Sequence, residues 1–155
     1  MENFQLAQIN IAKLVSPIDS PPLADFVADL GRINLLAENS KGFVWRLKDE
    51  TGNATHLNPF NDPLVIVNMS VWESVEDLKQ FVYRSDHVEV YIKRAKWFEK
   101  MQEAYMAMWW IEAGNFPTTD DGKERLLYLR QHGESEYAFS FRKIFDKPTQ
   151  APIPQ

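Results

Sequence analysis

Leu64-Val65-Ile66-Val67-Asn68-Met69-Ser70-Val71-Trp72 constrains this chain more than any other stretch. It is uncharged and rich in β-branched residues, and Pro63 stands at its entrance, so it reads as a strand. Side chains alternate along a strand. Val65, Val67, Met69 and Val71 take one face; Leu64, Ile66, Asn68, Ser70 and Trp72 take the other. An antiparallel sheet covered on one side only would show polar residues on its wet face. Neither face here carries a charge, so two covering layers are required. The helices read from a chain of this length suffice for one of them, and a second copy of the chain is the expected source of the other.

The strand runs directly into a helix. Ser74 with Asp77 has the form of a capping box, and Val75, Leu78, Phe81 and Val82 follow at helical spacing. Asp86 with Glu89 repeats the signature. A kink near Ser85 and a second helix to about Met101 are predicted, with Val88, Tyr91, Ile92, Ala95 and Phe98 as its stripe.

The 155 residues are expected to form one domain over 1–147, with a polar, proline-bearing, disordered tail over 148–155. No cysteine is present, which excludes disulfides, thiolate catalysis and cysteine-based metal centres and fits a cytoplasmic protein. No signal peptide or membrane-spanning run is read, so no membrane partner is expected. The net charge is −5. The only basic cluster, Lys93, Arg94, Lys96 and Lys100, reads as a solvated helix face, which argues against a nucleic-acid partner.

In chain order, Phe4 to Ala12 reads as the first strand. The loop Ser16 to Pro22 leads to a helix with Leu23, Phe26, Val27, Leu30, Ile33 and Leu36 on its stripe. Phe43 to Leu47 reads as a strand, Asp49 to Asn53 as a turn and Ala54 to Leu57 as a short return strand. After the central strand and its helices, Ala104 to Ile111 is again apolar on both faces, and its neighbours Trp109 and Trp110 must point oppositely. One is expected under helices and the other toward the partner. Thr118 with Asp121 caps a third helix, on which Leu126, Leu127 and Leu129 pack before a stop at Gly133. Tyr137 to Phe145 reads as a last strand. Without the final helix and strand, this order is the split β-α-β pair of ferredoxin-like folds.

Trp72-Glu73-Ser74 after a strand, with Glu76, Leu78, Phe81 and His87 beyond it, resembles a signature of the dimeric α/β-barrel superfamily, which includes antibiotic-biosynthesis monooxygenase-like proteins. Asn68 to Ser74, Phe81 to Ser85, Gly42 to Leu47, Trp109-Trp110 and Phe139 to Arg142 further resemble an uncharacterised, largely bacterial domain-of-unknown-function family assigned there. The likeness runs from Leu6 to Phe145. It implies an α+β, ferredoxin-like protomer with an antiparallel sheet, forming a dimeric α/β barrel, here with an extra C-terminal helix and strand. The superfamily includes cofactor-free oxygenases and haem proteins. In its haem-degrading branch the site uses a strand-one Asn, a helix Trp and a later His. Asn10 matches the first, whereas Phe81 and Ile92 stand at the other two, which argues against that chemistry.

Two constellations invite a functional reading. His87 lies near a helix start, where the dipole favours the neutral imidazole that a general base needs; alternatively it closes the kink structurally. His56 and His132 read as loop and helix-end residues, and three scattered histidines make no metal site. Asn10, Asn68 and Ser70 are polar residues in strands otherwise built for burial. They either satisfy one another or line a cavity, and with Trp72 on the same face they form a plausible pocket. Trp45, Trp72, Trp97, Trp109 and Trp110 offer either an aromatic binding surface or core packing, and Arg46 either an anion anchor or an ion pair. Two functions fit. The first is a cofactor-independent, monooxygenase-like enzyme acting on an apolar or aromatic small molecule, with His87 as catalytic base and Asn10, Trp45, Asn68, Ser70 and Trp72 binding ligand. The second is a non-catalytic dimer that binds a ligand or protein. Neither requires a cofactor.

Overall fold

A computed structural model of the chain describes residues 3–48, 59–83 and 96–148. Among them, the predicted turn at 49–53, the return strand at 54–57, the kink near Ser85, the helix from Asp86, His56, His87 and nearly all of the tail are absent, and those expectations lie outside the described residues.

The fold is built on β1 (Phe4–Leu14) and β3 (Val65–Trp72), the two strands with the least charge and the most neighbours. They pair antiparallel over a long register, from Leu6 opposite Trp72 to Lys13 opposite Val65. β2 (Phe43–Arg46) pairs with the outer edge of β3. On the far edge of β1, β5 (Met106–Glu112) pairs with the first half, and the two-residue β4 (Phe98–Glu99) with Leu14 and Lys13. The antiparallel order β2-β3-β1-β5 is that of a ferredoxin-like sheet. Helices α1 (Ala24–Glu38) and α2 (Val75–Val82) are the crossover helices, and α3 (Thr119–His132) is the additional one. The α+β class, the ferredoxin-like sheet and the extra C-terminal helix therefore follow the sequence reading.

Local signals set the helix ends. Ser74 Oγ accepts from the Asp77 N–H at 3.1 Å to start α2. Thr118 and Asp121 form the reciprocal capping box of α3, and Gly133, at φ +79°, ends it.

Cross-strand partners share a face, so the register sorts the sheet into two sides. Ala7, Ile9, Ile11, Val65, Val67, Met69, Val71, Ala107 and Trp109 form one continuous apolar cluster with Leu126 and Leu129 of α3. The helix lies very close: a Cβ added at Gly122 would stand 2.8 Å from Ile9 Cδ1 and 3.0 Å from Met69 Cε. The second covering layer demanded by the doubly apolar strands is thus supplied by the chain's own third helix.

The opposite side, under α1 and α2, carries two separate clusters. Leu6, Trp72, Val75, Leu78 and Met108 gather at one end. Leu14, Leu23, Phe26 and Trp97 gather at the other, with Ile66 packed against them.

Some expectations require correction. Tyr137 to Phe145 is not a strand but meets β5 at a single bridge, Met108 to Phe139. Local contacts redirect its backbone: Ser135 and Ala138 bond each other reciprocally, and the Glu134 carboxylate takes the Ser140 N–H at 2.6 Å. Phe98 does not belong to a helix stripe; it pairs with Leu14 in β4. Leu127 and Val27 are exposed rather than packed. Trp109 lies beneath α3, as one of its pair should, and half-buried Trp110 points to the opposite side, its indole N–H donating to Phe145 O at 2.9 Å.

Candidate functional site

Between the two apolar clusters on the α1–α2 side, the sheet carries a polar strip. Gln8 stands opposite Ser70, and Asn10 opposite Asn68. Gln8 is only 3% exposed and Ser70 only 5%, and they are the only buried polar residues among those described. Burying an amide or a hydroxyl is tolerated only with partners.

The partners form one network. The Gln8 side-chain amide donates to Asn68 Oδ1 at 2.8 Å and to Ser70 Oγ at 2.7 Å. The Trp72 indole N–H donates to the same Ser70 Oγ at 2.8 Å. Ser70 is therefore the hub, with both acceptor positions filled and its own proton left to donate. Trp72 is fixed behind it, edge-to-face with Phe43 at 5.5 Å and stacked on Phe81 at 5.3 Å. Burial decreases along the strip, from Trp72, Ser70 and Gln8 to half-buried Asn10 and exposed Asn68.

The structure thus brings together Asn68, Ser70 and Trp72 of the residues singled out from sequence. Asn10 shares their strip, but no side-chain hydrogen bond ties it to the network among the described residues. Trp45 does not join them. A register shift between Phe43 and Trp45 turns it to the α3 side, opposite Val71, where it stacks on Phe116 at 5.2 Å. Arg46, opposite Ser70, lies on the strip's side and is engaged by Glu38 of α1, Nε to Oε2 at 2.7 Å. His87 lies outside the described residues. Of the five tryptophans, Trp72, Trp97 and Trp109 are buried core residues, and Trp45 and Trp110 are half-buried.

Gln8 is the residue that sequence reasoning passed over. Its signal was present: an uncharged polar side chain on an otherwise apolar strand, on the face of Leu6. Its importance depends on pairing with Ser70, 62 residues away, which no local pattern reveals.

The described part of the strip contains hydrogen-bonding groups but no free acid or base. It can bind and orient a neutral group; proton transfer would need a side chain from elsewhere.

Fold and strip together define a ferredoxin-like α+β protein with a polar seam under its crossover helices. Residues 5–154 match the family model described as a domain of unknown function, DUF3291, and the chain belongs to that family. Several solved structures are similar at low identity. SnoaB, a cofactor-independent oxygenase from Streptomyces nogalater, has 12% identity and a TM-score of 0.47, over 72% of this chain and 95% of that one. A conserved protein from Methanosarcina mazei has 8% identity and a TM-score of 0.49, over 70% and 92%. A dabb family protein with a ferredoxin-like fold from Mesorhizobium loti has 14% identity and a TM-score of 0.44, over 74% and 100%. No curated protein matches. Among the described residues no helix is long and apolar enough to cross a membrane.

Proposed function

We propose that the chain binds a small, uncharged, apolar or aromatic molecule bearing a hydroxyl or carbonyl group, at the strip formed by Gln8, Asn68, Ser70 and Trp72. The observation that carries this reading is the Ser70 hub, a buried hydroxyl that accepts twice and still has a proton to donate. Gln8 Oε1 and the Asn68 NH2 group also have no hydrogen-bond partner among the described residues. With both amides turned over, Ser70 donates its proton to Gln8 Oε1, and the Gln8 NH2 group and Asn68 Oδ1 face outward, so the strip as a whole still offers donors and an acceptor. The strip therefore suits a ligand group that both donates and accepts, and it lies between the apolar clusters around Trp72 and Trp97.

The catalytic form of this reading is a cofactor-independent, monooxygenase-like reaction with His87 as base, in which the deprotonated substrate itself supplies electrons to oxygen. Its support is the convergence of uncharged polar groups on one seam. The non-catalytic form needs the strip alone.

Thermal-shift measurement with 1-naphthol and with naphthalene tests the binding step. The wild type should be stabilised more by the naphthol, and Ser70→Ala and Gln8→Leu should lose that preference. Equal shifts by both compounds, in wild type and variants alike, would remove the strip from the site. Oxygen uptake that depends on His87 would select the catalytic form.

A further inference from the structure

One charged side chain stands in line with the polar strip. The strand register sets Arg46 of β2, Ser70 of β3 and Gln8 of β1 in a single row across the sheet. Side chains directly opposite each other lie about 4.5–5.5 Å apart at Cβ, so the row leads from a guanidinium to the hydroxyl hub. Arg46 is not placed as a surface arginine: only 12% of its side chain is exposed, against 34% for that of Glu38. Its Nε donates to Glu38 Oε2 at 2.7 Å, and neither Nη group has a hydrogen-bond partner among the described residues. A guanidinium carries five N–H donors, so most of those of Arg46 remain available. Glu38 is the last residue of α1, where the helix dipole disfavours a carboxylate and no basic residue in the last turn offsets it. Arg46 holds that carboxylate in place, and the carboxylate in turn sets how much of the Arg46 charge the strip feels. The other side chains of the row are uncharged, as are Val75, Leu78 and Phe81 of α2, which pack around Trp72. Lys48, the next charge along the chain, is exposed to solvent.

We infer, on the reading of the strip as a binding site, that Arg46 makes it select an acidic hydroxyl, a phenol or an enol, and hold that group as its anion. The molecule arrives neutral and its hydroxyl proton passes to solvent. The oxygen left behind is met by the Arg46 Nη groups and by the Ser70 O–H or, with the amides turned over, the Gln8 NH2 group. An opposite charge within about 4–6 Å lowers the pKa of an acid by about 1–3 units. An alcohol too weakly acidic to ionise gains nothing from Arg46 and is the poorer ligand.

4-Nitrophenol, whose anion absorbs at longer wavelength than its neutral form, reports the ionisation directly. Its absorbance is titrated against pH, free and with the protein in excess. Bound to the wild type, it should ionise about one unit or more below the free compound, which means that the anion is held about tenfold or more tighter than the neutral form. Arg46→Gln should lift the bound value to the free one or above it. Glu38→Gln removes the counter-charge and should lower it further. A pair that served only to fix α1 would give the two substitutions the same effect. Should circular dichroism show Arg46→Gln unfolded, the wild-type value and Glu38→Gln decide. A bound value equal to or above the free one in the wild type, no binding of the probe, or shifts of the same sign in the two variants would overturn the inference, even where the preference for 1-naphthol over naphthalene holds. Loss of that preference in the wild type would instead bring down the site itself, and the role of Arg46 with it.

Discussion

The two sides of this sheet are made by the same strands and differ in what interrupts them. On the α3 side every inward position of β1 and β3 from Ala7 to Ile11 and from Val65 to Val71 is apolar, and the cluster is unbroken. On the α1–α2 side the clusters around Trp72 and around Trp97 are parted by Gln8, Asn10, Asn68 and Ser70. An unbroken apolar side is a core, where a helix can lie directly on the sheet. A side divided by hydrogen-bonding groups forgoes some hydrophobic stabilisation, and such departures from uniform burial are where function is to be sought.

The largest expected effect comes from emptying the unbroken side. Trp109→Ala removes a side chain sandwiched between sheet and α3 and should destabilise the fold by about 3–5 kcal/mol in chemical denaturation. Gly122→Leu forces a side chain into Ile9 and Met69 and should cost about 1–3 kcal/mol or more. An unchanged denaturation midpoint in either variant would mean that α3 is not packed on the sheet as described.

Effects on the divided side should be smaller and chemically selective. Ser70→Ala strips the Trp72 and Gln8 donors of their acceptor, at an expected cost of about 1–3 kcal/mol. Gln8→Leu, which removes a buried amide but leaves Ser70 to Trp72, should cost less than Ser70→Ala. The reverse order would show that Gln8, not Ser70, is the hub. Thr118→Ala, which removes the cap of α3, should cost about 1 kcal/mol.

The smallest effect is a pH effect. Burial pushes the Tyr137 phenol above the ordinary tyrosine range, against the pull of Arg125 and with help from Glu124. A raised value means that the fold favours the neutral phenol. Its contribution to stability is complete below the ordinary tyrosine value and is lost as pH rises through the folded one. In a spectrophotometric titration, Tyr137→Phe should delete a tyrosinate step that lies above the ordinary tyrosine value. Loss of a step at or below that value instead would refute the assignment.

Much of this architecture is written locally. The caps at Ser74 and Thr118, the stop at Gly133 and the doubly apolar Leu64–Trp72 run each depend on neighbours in sequence, and each is where the pattern places it. The need for a second covering layer was also legible, but not its source. Leu126 and Leu129 show that α3 has an apolar stripe, yet nothing local says which surface that stripe meets. Trp45 illustrates a different limit. A single shift in register between Phe43 and Trp45 turns the indole to the other side of the sheet, and strand alternation carries no record of the shift. Phe98 fits a helical stripe by spacing, but its pairing with Leu14 decides its structure. The candidate site was half legible. Asn68, Ser70 and Trp72 share a face by simple alternation, whereas Gln8 enters only through long-range pairing.

The contrast between the sides is tested most directly by titrating 1-naphthol into the protein while following the Gln8 side-chain amide and Trp72 indole N–H resonances together with the methyl groups of Ile9 and Met69. The account predicts saturable shifts at Gln8 and Trp72 and none at Ile9 or Met69. Shifts at the methyl groups, with Gln8 and Trp72 unmoved, would contradict it.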